Sequence, residues 1–299
     1  MRWLRAAELG LRGARRRPGL AVIVWLAALL PALGLAIVAW GEIAGELSRS
    51  LFAGEALRGG RVGVWSDLRR GPEGGLGAVR SAALLGAPAM VVVQALVAAG
   101  VVETLLGRHR RGERPFLRGV ALHGWRFLRS AGWFLVPAAV LAGAAAAAMG
   151  AVTEGAPSGS ASLAGWAAVL AFALLLYMPL DLAYDLSRIS AAAHGDGRML
   201  VGFLRALGHA VRRAHVLFPL WLLFTLAILA LHLGWIAARA ELAPGNLGEV
   251  VLVTAAQQLV FLFAAFLRLA LWSAEVAYVQ GAGDPRWAGR RVRRGRRAG

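Results

Sequence analysis

Long apolar stretches alternate with short arginine-rich segments along the whole chain. A helix crosses the hydrocarbon core of a bilayer with about 20 mostly apolar residues. Six stretches meet this length, and they lie near residues 19–40, 81–106, 131–149, 163–180, 216–236 and 250–272. The pattern predicts an all-α fold, a polytopic membrane helix bundle with six transmembrane helices. Ile43 and Leu47 continue the helical spacing, so we expect the first helix to extend beyond its apolar stretch.

The low content of charged residues agrees with this prediction. Of the 299 residues, 59% are hydrophobic and 16% are charged, whereas a soluble domain carries about 25% charged residues. The connections between the apolar stretches are short and leave no room for a separate soluble domain. We expect residues 1–280 to form one transmembrane domain and residues 281–299 to form a disordered, basic cytoplasmic tail.

The distribution of arginine predicts the topology. The net charge is +17, and all 33 basic residues are arginines, which is typical of a GC-rich bacterial genome. Arginines clearly outnumber acidic residues before the first stretch, in every second connection and after the sixth stretch, whereas residues 41–80 mix six arginines with five acidic residues and the two remaining connections carry few charges. Because arginine-rich loops stay in the cytoplasm, we expect a multi-pass protein of the bacterial cytoplasmic (inner) membrane with both termini cytoplasmic.

The arginine-rich segments are also amphipathic. In residues 198–213 the basic side chains share one helical face and the apolar side chains share the opposite face. This pattern is typical of a basic helix that lies in the membrane interface, and it predicts that Leu200, Leu204 and Leu207 are buried. The N-terminal residues and residues 111–127 repeat the pattern.

Arginine near a membrane surface is suited to lipid headgroups, because its planar fork can bind a phosphate bidentately. We therefore expect membrane lipids with anionic headgroups as partners at the cytoplasmic face. The candidate headgroup contacts are Arg15, Arg16, Arg17, Arg198, Arg205, Arg212 and Arg213. The basic tail has the same interpretation, so we expect no nucleic-acid partner, and a protein partner stays open.

The order of the charged segments indicates an internal repeat. Each unit consists of a basic amphipathic helix, an outward helix, an external loop and an inward helix. The inward helices end near an acidic residue, namely Glu103, Asp185 (or Asp181) and Glu275. The pattern predicts a threefold hairpin repeat, and the alternative is that any series of hairpins with basic cytoplasmic loops shows it.

Arg268 lies inside the last apolar stretch. An arginine at the centre of a membrane helix costs about 2.5–3.5 kcal/mol on insertion scales, so it usually faces a partner or water. Glu275 follows two helical turns later, and Asp181 and Glu103 lie on other helices. We predict that Arg268 pairs with one of these three carboxylates, either as a structural link between helices or as part of an ion or proton path.

Several polar residues at the end of the fourth stretch share one helical face. They are Asp181, Tyr184, Asp185 and Arg188. Arg188 can neutralise Asp185 one turn away, which favours a structural role over the binding of a cation or a proton. The predicted intramembrane polar cluster consists of Arg268, Glu275, Asp181, Asp185 and Glu103.

Four parts of the chain also carry a resemblance to known proteins. They are residues 15–20, residues 112–115, residues 181–188 leading into 206–213, and residues 268–280. In their order, these parts resemble a broad group of uncharacterised bacterial six-span inner-membrane proteins. The resemblance covers most of the chain, and it implies a helical membrane domain without catalytic residues that could be transferred.

Motifs of soluble enzymes are absent from the sequence, which has no phosphate-binding glycine loop, no HExxH and no CxxC. The chain has no cysteine, so disulfides and thiolate metal sites are excluded, and the histidines lack metal-site spacing. We therefore expect no enzyme activity, no cofactor and no metal. The predicted function is that of a non-enzymatic scaffold, or an assembly or lipid-organising protein. The alternative is a transporter or channel subunit that uses Arg268 and inner-leaflet carboxylates.

Overall fold

A computed structural model describes residues 3–48, 77–107, 114–155, 158–195, 197–240, 242 and 246–281. These residues form eight helices and no strand. The helices are α1 (Trp3–Arg15), α2 (Pro18–Ser48), α3 (Gly77–Leu106), α4 (Pro115–Gly155), α5 (Gly159–His194), α6 (Met199–Arg212), α7 (Ala214–Ala240) and α8 (Leu247–Gly281). All except α1 and α6 contain a segment that is long and apolar enough to cross a membrane. The predicted all-α bundle with six transmembrane helices is therefore confirmed.

Several helices begin and end at residues with a local reason to do so. Helix α2 begins at Pro18, a position at which the backbone N–H that proline lacks would have no partner within the helix. The helix continues to Ser48, which confirms the predicted extension. Helix α5 begins after Ser158, whose hydroxyl accepts a hydrogen bond from the backbone N–H of Ala161 at 3.3 Å. It ends at Gly195, whose backbone is left-handed with φ 73°, a conformation that favours glycine.

Helix α4 differs from the prediction. The sequence predicts an amphipathic segment followed by a separate span near residues 131–149, but α4 continues without a break for 41 residues. Residues 126–131 contain neither glycine nor proline, so nothing in this stretch ends the helix. By contrast, Pro18 separates α1 from α2.

The arginine-rich segments pack in a common way. Helix α6 lies on α5, and the N-terminal part of α4 lies on α3, so each segment contacts the transmembrane helix that precedes it. Helix α1 is the first in the chain, and it lies on α8, the last. The amphipathic segment of each hairpin thus packs on the preceding hairpin in cyclic order, which is the arrangement that a threefold hairpin repeat would produce.

These segments gather at one side of the bundle, which we call the arginine-rich end. It carries α1, α6, the start of α4 and the end of α8. The side chain of Gln280 donates a hydrogen bond to the backbone oxygen of Leu106 at 3.3 Å, and Nε2 of His209 lies 3.0 Å from the hydroxyl of Tyr278. Most of the core lies towards this end, and its fully buried side chains include Trp221, Phe127, Leu182, Leu186, Ile189, Leu217, Leu220, Leu269 and Leu271.

Glycine permits the closest contacts between helices at this end. A Cβ atom on Gly10 of α1 would lie 2.4 Å from the backbone oxygen of Ala270 in α8. A Cβ atom on Gly119 of α4 would lie 2.6 Å from the backbone oxygen of Ala99 in α3. Both distances are shorter than a van der Waals contact, so these two glycines allow an approach that a larger residue prevents.

Helix α6 packs on the bundle through residues other than the leucines that the sequence predicts to be buried in the membrane interface, and the burial of those leucines in a bilayer stays a prediction. Its buried residues are Met199, Phe203, Ala206 and Ala210. Leu200 and Leu204 are exposed on the protein surface, and Leu207 is partly buried. The small alanines let α6 approach α5 closely, so the stripe that contains them faces the protein. The leucine stripe faces outwards, where a bilayer could cover it.

The outer surfaces of the six long helices are apolar. Their exposed side chains include Leu30, Ile37, Val140, Phe172 and Leu252. Soluble monomers rarely expose large contiguous apolar patches, whereas a bilayer covers such surfaces with acyl chains.

Candidate functional site

Arg268 lies in α8 and binds two carboxylates of α5. Its Nη1 donates a hydrogen bond to Oδ2 of Asp181 at 3.2 Å, and its Nη2 donates one to Oδ2 of Asp185 at 2.9 Å. A longer hydrogen bond of 3.4 Å joins Nη2 to Oδ1 of Asp181. Asp181 is one of the three predicted partners of Arg268, and Asp185 is an additional one. The guanidinium thus bridges two carboxylates that lie one helical turn apart.

Two tryptophans donate further hydrogen bonds to these carboxylates. Nε1 of Trp221 in α7 donates to Oδ2 of Asp181 at 2.8 Å, and Nε1 of Trp272 in α8 donates to Oδ2 of Asp185 at 3.1 Å. Only 6% and 1% of the two aspartate side chains are exposed, and ionised groups that are removed from water need such partners. The sequence analysis missed both tryptophans, although Trp272 lies one turn after Arg268.

Arg188 binds Asp185 from within α5. The two residues form the ion pair that the sequence predicts, and the Arg188 side chain is only 5% exposed. The guanidinium carbon of Arg188 lies 3.7 Å from the ring centroid of Tyr184. The Tyr184 ring stacks on Phe134 of α4, with 4.5 Å between the centroids. Because a cation over an aromatic face is stabilised, Arg188 links α5 to α4 as well as neutralising Asp185.

We refer to Asp181, Asp185, Arg188 and Arg268 as the α5–α8 charge cluster. Arg268 precedes the end of α8 at Gly281 by 13 residues, which is about 20 Å along the helix axis. The cluster therefore lies well inside the bundle, on the side of the arginine-rich end. Its two positive and two negative groups balance, and Arg268 is its most accessible member, with 28% of its side chain exposed.

Glu275 lies beside the cluster but outside its hydrogen-bond network. The residue is fully buried, and neither carboxylate oxygen has a hydrogen-bond partner in the part of the chain that the structure describes. Glu275 interacts electrostatically with all four members of the cluster, most strongly with Asp185. The structure thus places a fifth ionisable residue next to four charged groups that already balance.

Glu103 is not part of this arrangement. It lies on α3 and faces the start of α4, where Nε2 of His123 is 3.3 Å from Oε2 and Nε of Arg118 is 3.8 Å from Oε1. Its contacts among the described residues do not include Arg268. Of the five residues in the predicted cluster, the structure therefore brings four together and places Glu103 in a separate ion pair, because α3 packs on α4 more than on α8.

The predicted headgroup contacts lie at the arginine-rich end. Six of the seven arginines are exposed, and Arg17 is partly buried. Burial, assisted by the adjacent charge of Arg16, lowers the pKa of Arg17 from its ordinary value. In α6 the exposed Arg205 and Arg212 follow the exposed Leu204 and Val211. Basic and apolar side chains are therefore neighbours on the outward side of this helix.

Within the described residues, no group of three or more His, Asp or Glu side chains could hold a metal ion. Comparisons of the chain with protein-family models, with curated proteins and with solved structures give no match. The fold itself defines the class of protein. The chain is a multi-pass α-helical membrane protein with a charge cluster between two of its transmembrane helices.

Proposed function

We propose that this chain is a non-enzymatic scaffold that organises anionic lipid at the cytoplasmic face of a bacterial inner membrane. The observation that carries the proposal is the outward surface of α1, α6 and the start of α4. Each of these three segments packs on the bundle with one face and exposes arginines and large apolar side chains on another.

Helices α1 and α6 illustrate this division of faces. Helix α1 contacts the bundle through small residues, among them Ala6 and Gly10, while Leu4 remains 61% exposed. Helix α6 contacts it through Phe203 and alanines, while Leu204 remains 56% exposed. An interfacial helix needs such an apolar surface for the acyl chains beside a basic surface for the headgroups.

The proposed orientation rests on the same segments. Arginine-rich loops are retained in the cytoplasm during insertion, and the arginine-rich end collects the start of the chain and the end of α8. We therefore infer that both termini lie in the cytoplasm. In that orientation the exposed arginines meet the leaflet surface, where each basic residue near anionic lipid contributes about 1 kcal/mol.

The geometry of the α5–α8 charge cluster supports a structural rather than a catalytic role. Both aspartates lie on α5. Asp181 accepts a hydrogen bond from Trp221 of α7, and Asp185 accepts hydrogen bonds from Arg268 and Trp272 of α8, so the cluster connects α5, α7 and α8. Hydrogen-bonded and charge-balanced groups of this kind stabilise a bundle interior.

The proposal can be tested by measuring lipid binding directly. The purified chain should retain phosphatidylglycerol or cardiolipin in native mass spectrometry, and it should prefer these lipids to phosphatidylcholine in nanodiscs. A variant with glutamine at positions 15, 16, 212 and 213 removes four exposed arginines. We expect at least tenfold weaker anionic-lipid binding, since each arginine contributes about 1 kcal/mol.

Two matched controls define the site. Arg239→Gln removes an exposed arginine at the opposite end and should leave binding unchanged. A variant with lysine at the same four positions keeps the charge and removes the bidentate fork, so it should bind between the wild type and the glutamine variant. Equal lipid binding by the wild type and the glutamine variant would refute the proposal.

A second candidate is a transporter or channel subunit that uses Arg268 and the inner carboxylates. It is favoured by two observations, the partial exposure of the Arg268 side chain and the burial of Glu275 without a hydrogen-bond partner among the described residues. Ionisable residues inside a bundle often mark ion or proton pathways. Proteoliposomes that contain the chain should then collapse an imposed pH or Na⁺ gradient faster than empty liposomes, and Arg268→Gln should abolish the difference. Equal rates with and without the chain would exclude this candidate.

A further inference from the structure

Glu275 is the one residue of the buried site whose charge the described structure does not balance. It lies in α8, one residue after Ala274, which contacts Gly10 of α1. The carboxylate is fully buried, and both oxygens lack a hydrogen-bond partner in the described ranges. An ionised carboxylate without such partners is far more costly to bury than a neutral acid, by several kcal/mol even after relaxation.

The charged groups around Glu275 form ion pairs with one another. On α5, Arg188 pairs with Asp185, and on α8, Arg268 pairs with both Asp181 and Asp185. The two arginines and two aspartates sum to zero, so an ionised Glu275 would give the site a net charge of −1. Glu275 interacts electrostatically with both aspartates and both arginines, so its ionisation would add a negative charge to a set of groups that already balances.

The other helices that pack on α8 offer Glu275 no hydrogen-bonded counter-charge among their described residues. Helix α2 has no basic residue, and the basic residues of α7 are exposed (His215 and Arg239) or bonded to its own backbone (His232). Helix α1 faces α8 with Ala6, Ala7, Gly10 and Ala14. On α3, Glu103 is engaged by His123 and Arg118. On α6, His209 contacts the Tyr278 hydroxyl, one turn beyond Glu275. These contacts leave a small cation or a proton to neutralise Glu275.

A proton fits the geometry better than a metal ion. Hard cations such as Na⁺, Ca²⁺ or Mg²⁺ need several oxygen ligands at once. In the described part of the chain no group of three or more acidic or histidine residues could hold a metal, and neither oxygen of Glu275 has a hydrogen-bond partner there. A proton needs no coordination shell, because it forms a covalent O–H bond with one carboxylate oxygen.

We propose that Glu275 is a proton-binding site, and that the folded protein holds this residue as a neutral carboxylic acid at neutral pH. The proton comes from the aqueous phase at the arginine-rich end, adds to one carboxylate oxygen and breaks no other bond. With this proton bound, the α5–α8 charge cluster and Glu275 together carry no net charge. This inference is independent of the proposed lipid contacts, which lie on the outer surface.

Infrared difference spectroscopy on the full-length protein in nanodiscs tests the proposal. The C=O stretch of a protonated carboxylic acid is separate from the bands of ionised carboxylates. At neutral pH the wild type should show this band, and the spectrum of wild type minus Glu275→Gln should contain it in full. Glu103→Gln is the matched control, since it removes a second buried glutamate, one that lies beside His123 and Arg118, and it should leave the protonated band unchanged.

Each other outcome contradicts the proposal. A wild type without the protonated band at neutral pH shows that Glu275 is ionised, whatever the behaviour of the variants. If the band remains in the Glu275→Gln variant, it comes from another residue, and the proposal also fails. Glutamine has the size and neutrality of protonated glutamate, so Glu275→Gln should accumulate to wild-type levels in the membrane. A strong loss of folded protein in this variant would mean that the native residue carries a needed charge.

Discussion

Arg268 and Asp185 are 83 residues apart in the chain, and a hydrogen bond of 2.9 Å joins their side chains. Asp185 has a second cationic partner in Arg188. Asp181 has no second cation among its described contacts, since its other partners are the neutral Trp221 and Tyr177. The two aspartates that Arg268 bridges therefore depend on it to different degrees.

This difference leads to a prediction for the loss of Arg268. Arg268→Leu removes the only cation bound to Asp181 within the described residues and leaves a buried carboxylate with neutral donors. Breaking a buried ion pair from one side costs about 3–5 kcal/mol, and the partial exposure of Arg268 favours the lower end of this range. Chemical or thermal unfolding in detergent should show that loss of stability, together with a lower yield of folded protein.

A second substitution should restore stability at one position only. Asp181→Asn in the Arg268→Leu background removes the stranded charge and keeps an acceptor for Trp221, so it should recover most of the loss. Asp185→Asn in the same background should not, because it strands Arg188 instead. Equal rescue by both asparagines, or rescue by neither, would contradict the assigned partners.

The contact between α1 and α8 leads to a prediction for Gly10. A Cβ atom there would lie 2.4 Å from the Ala270 oxygen, so Gly10→Ala should destabilise the fold by about 1–3 kcal/mol, as overpacking does. Gly208 of α6 is the matched control, since a Cβ atom there meets nothing within 4 Å. Gly208→Ala should be neutral or stabilising by up to about 1 kcal/mol, because alanine favours a helix. Thermal unfolding of both variants measures the difference, and equal midpoints would show that α1 does not pack as described.

The sequence predicts the helices well and the lateral contacts only in part. A helix in lipid must be apolar over a fixed length, and this requirement is local, so hydropathy alone finds all six spans. The partner of Arg268 depends on which helices are neighbours. Glu103, Asp181 and Glu275 all lie in the halves of their helices nearer the arginine-rich end, and nothing local in the sequence distinguishes Asp181 from Glu103.

The roles of the tryptophans and of α6 were less accessible to sequence analysis for similar reasons. Trp221 lies 40 residues from Asp181 in the chain, and an indole in an apolar stretch gives no sign that it donates a hydrogen bond. Helix α6 has two apolar stripes, and the sequence alone does not show which of them packs on the bundle. The stripe that contains Ala206 and Ala210 packs on α5, because small side chains let two helices approach each other closely.

Arg188 should not be replaceable by lysine. Its guanidinium pairs with Asp185 and stacks 3.7 Å above the Tyr184 ring, and both contacts use the planar shape of the group. Arg188→Lys keeps the charge and should still lower the stability by about 1–2 kcal/mol, as the stacking is lost. Arg212→Lys, at an exposed position of α6, is the control and should leave the unfolding midpoint unchanged. Wild-type stability of Arg188→Lys would show that only the charge matters at this position.

The topology can be tested with single cysteines, because the natural chain contains none. Glu154 lies at the end of α4 and Arg213 lies between α6 and α7, and both are exposed. Since arginine-rich segments are retained in the cytoplasm, a membrane-impermeant maleimide should label Glu154→Cys in intact cells. Arg213→Cys should react only after the membrane is permeabilised.

Labelling of both positions from the same side would rule out the six-helix topology. Labelling of Arg213→Cys alone in intact cells would instead keep the six helices and reverse their orientation. In that second case the exposed arginines would face the outer leaflet, and the proposed contact with cytoplasmic anionic lipid would fail while the geometry of the α5–α8 charge cluster stayed intact.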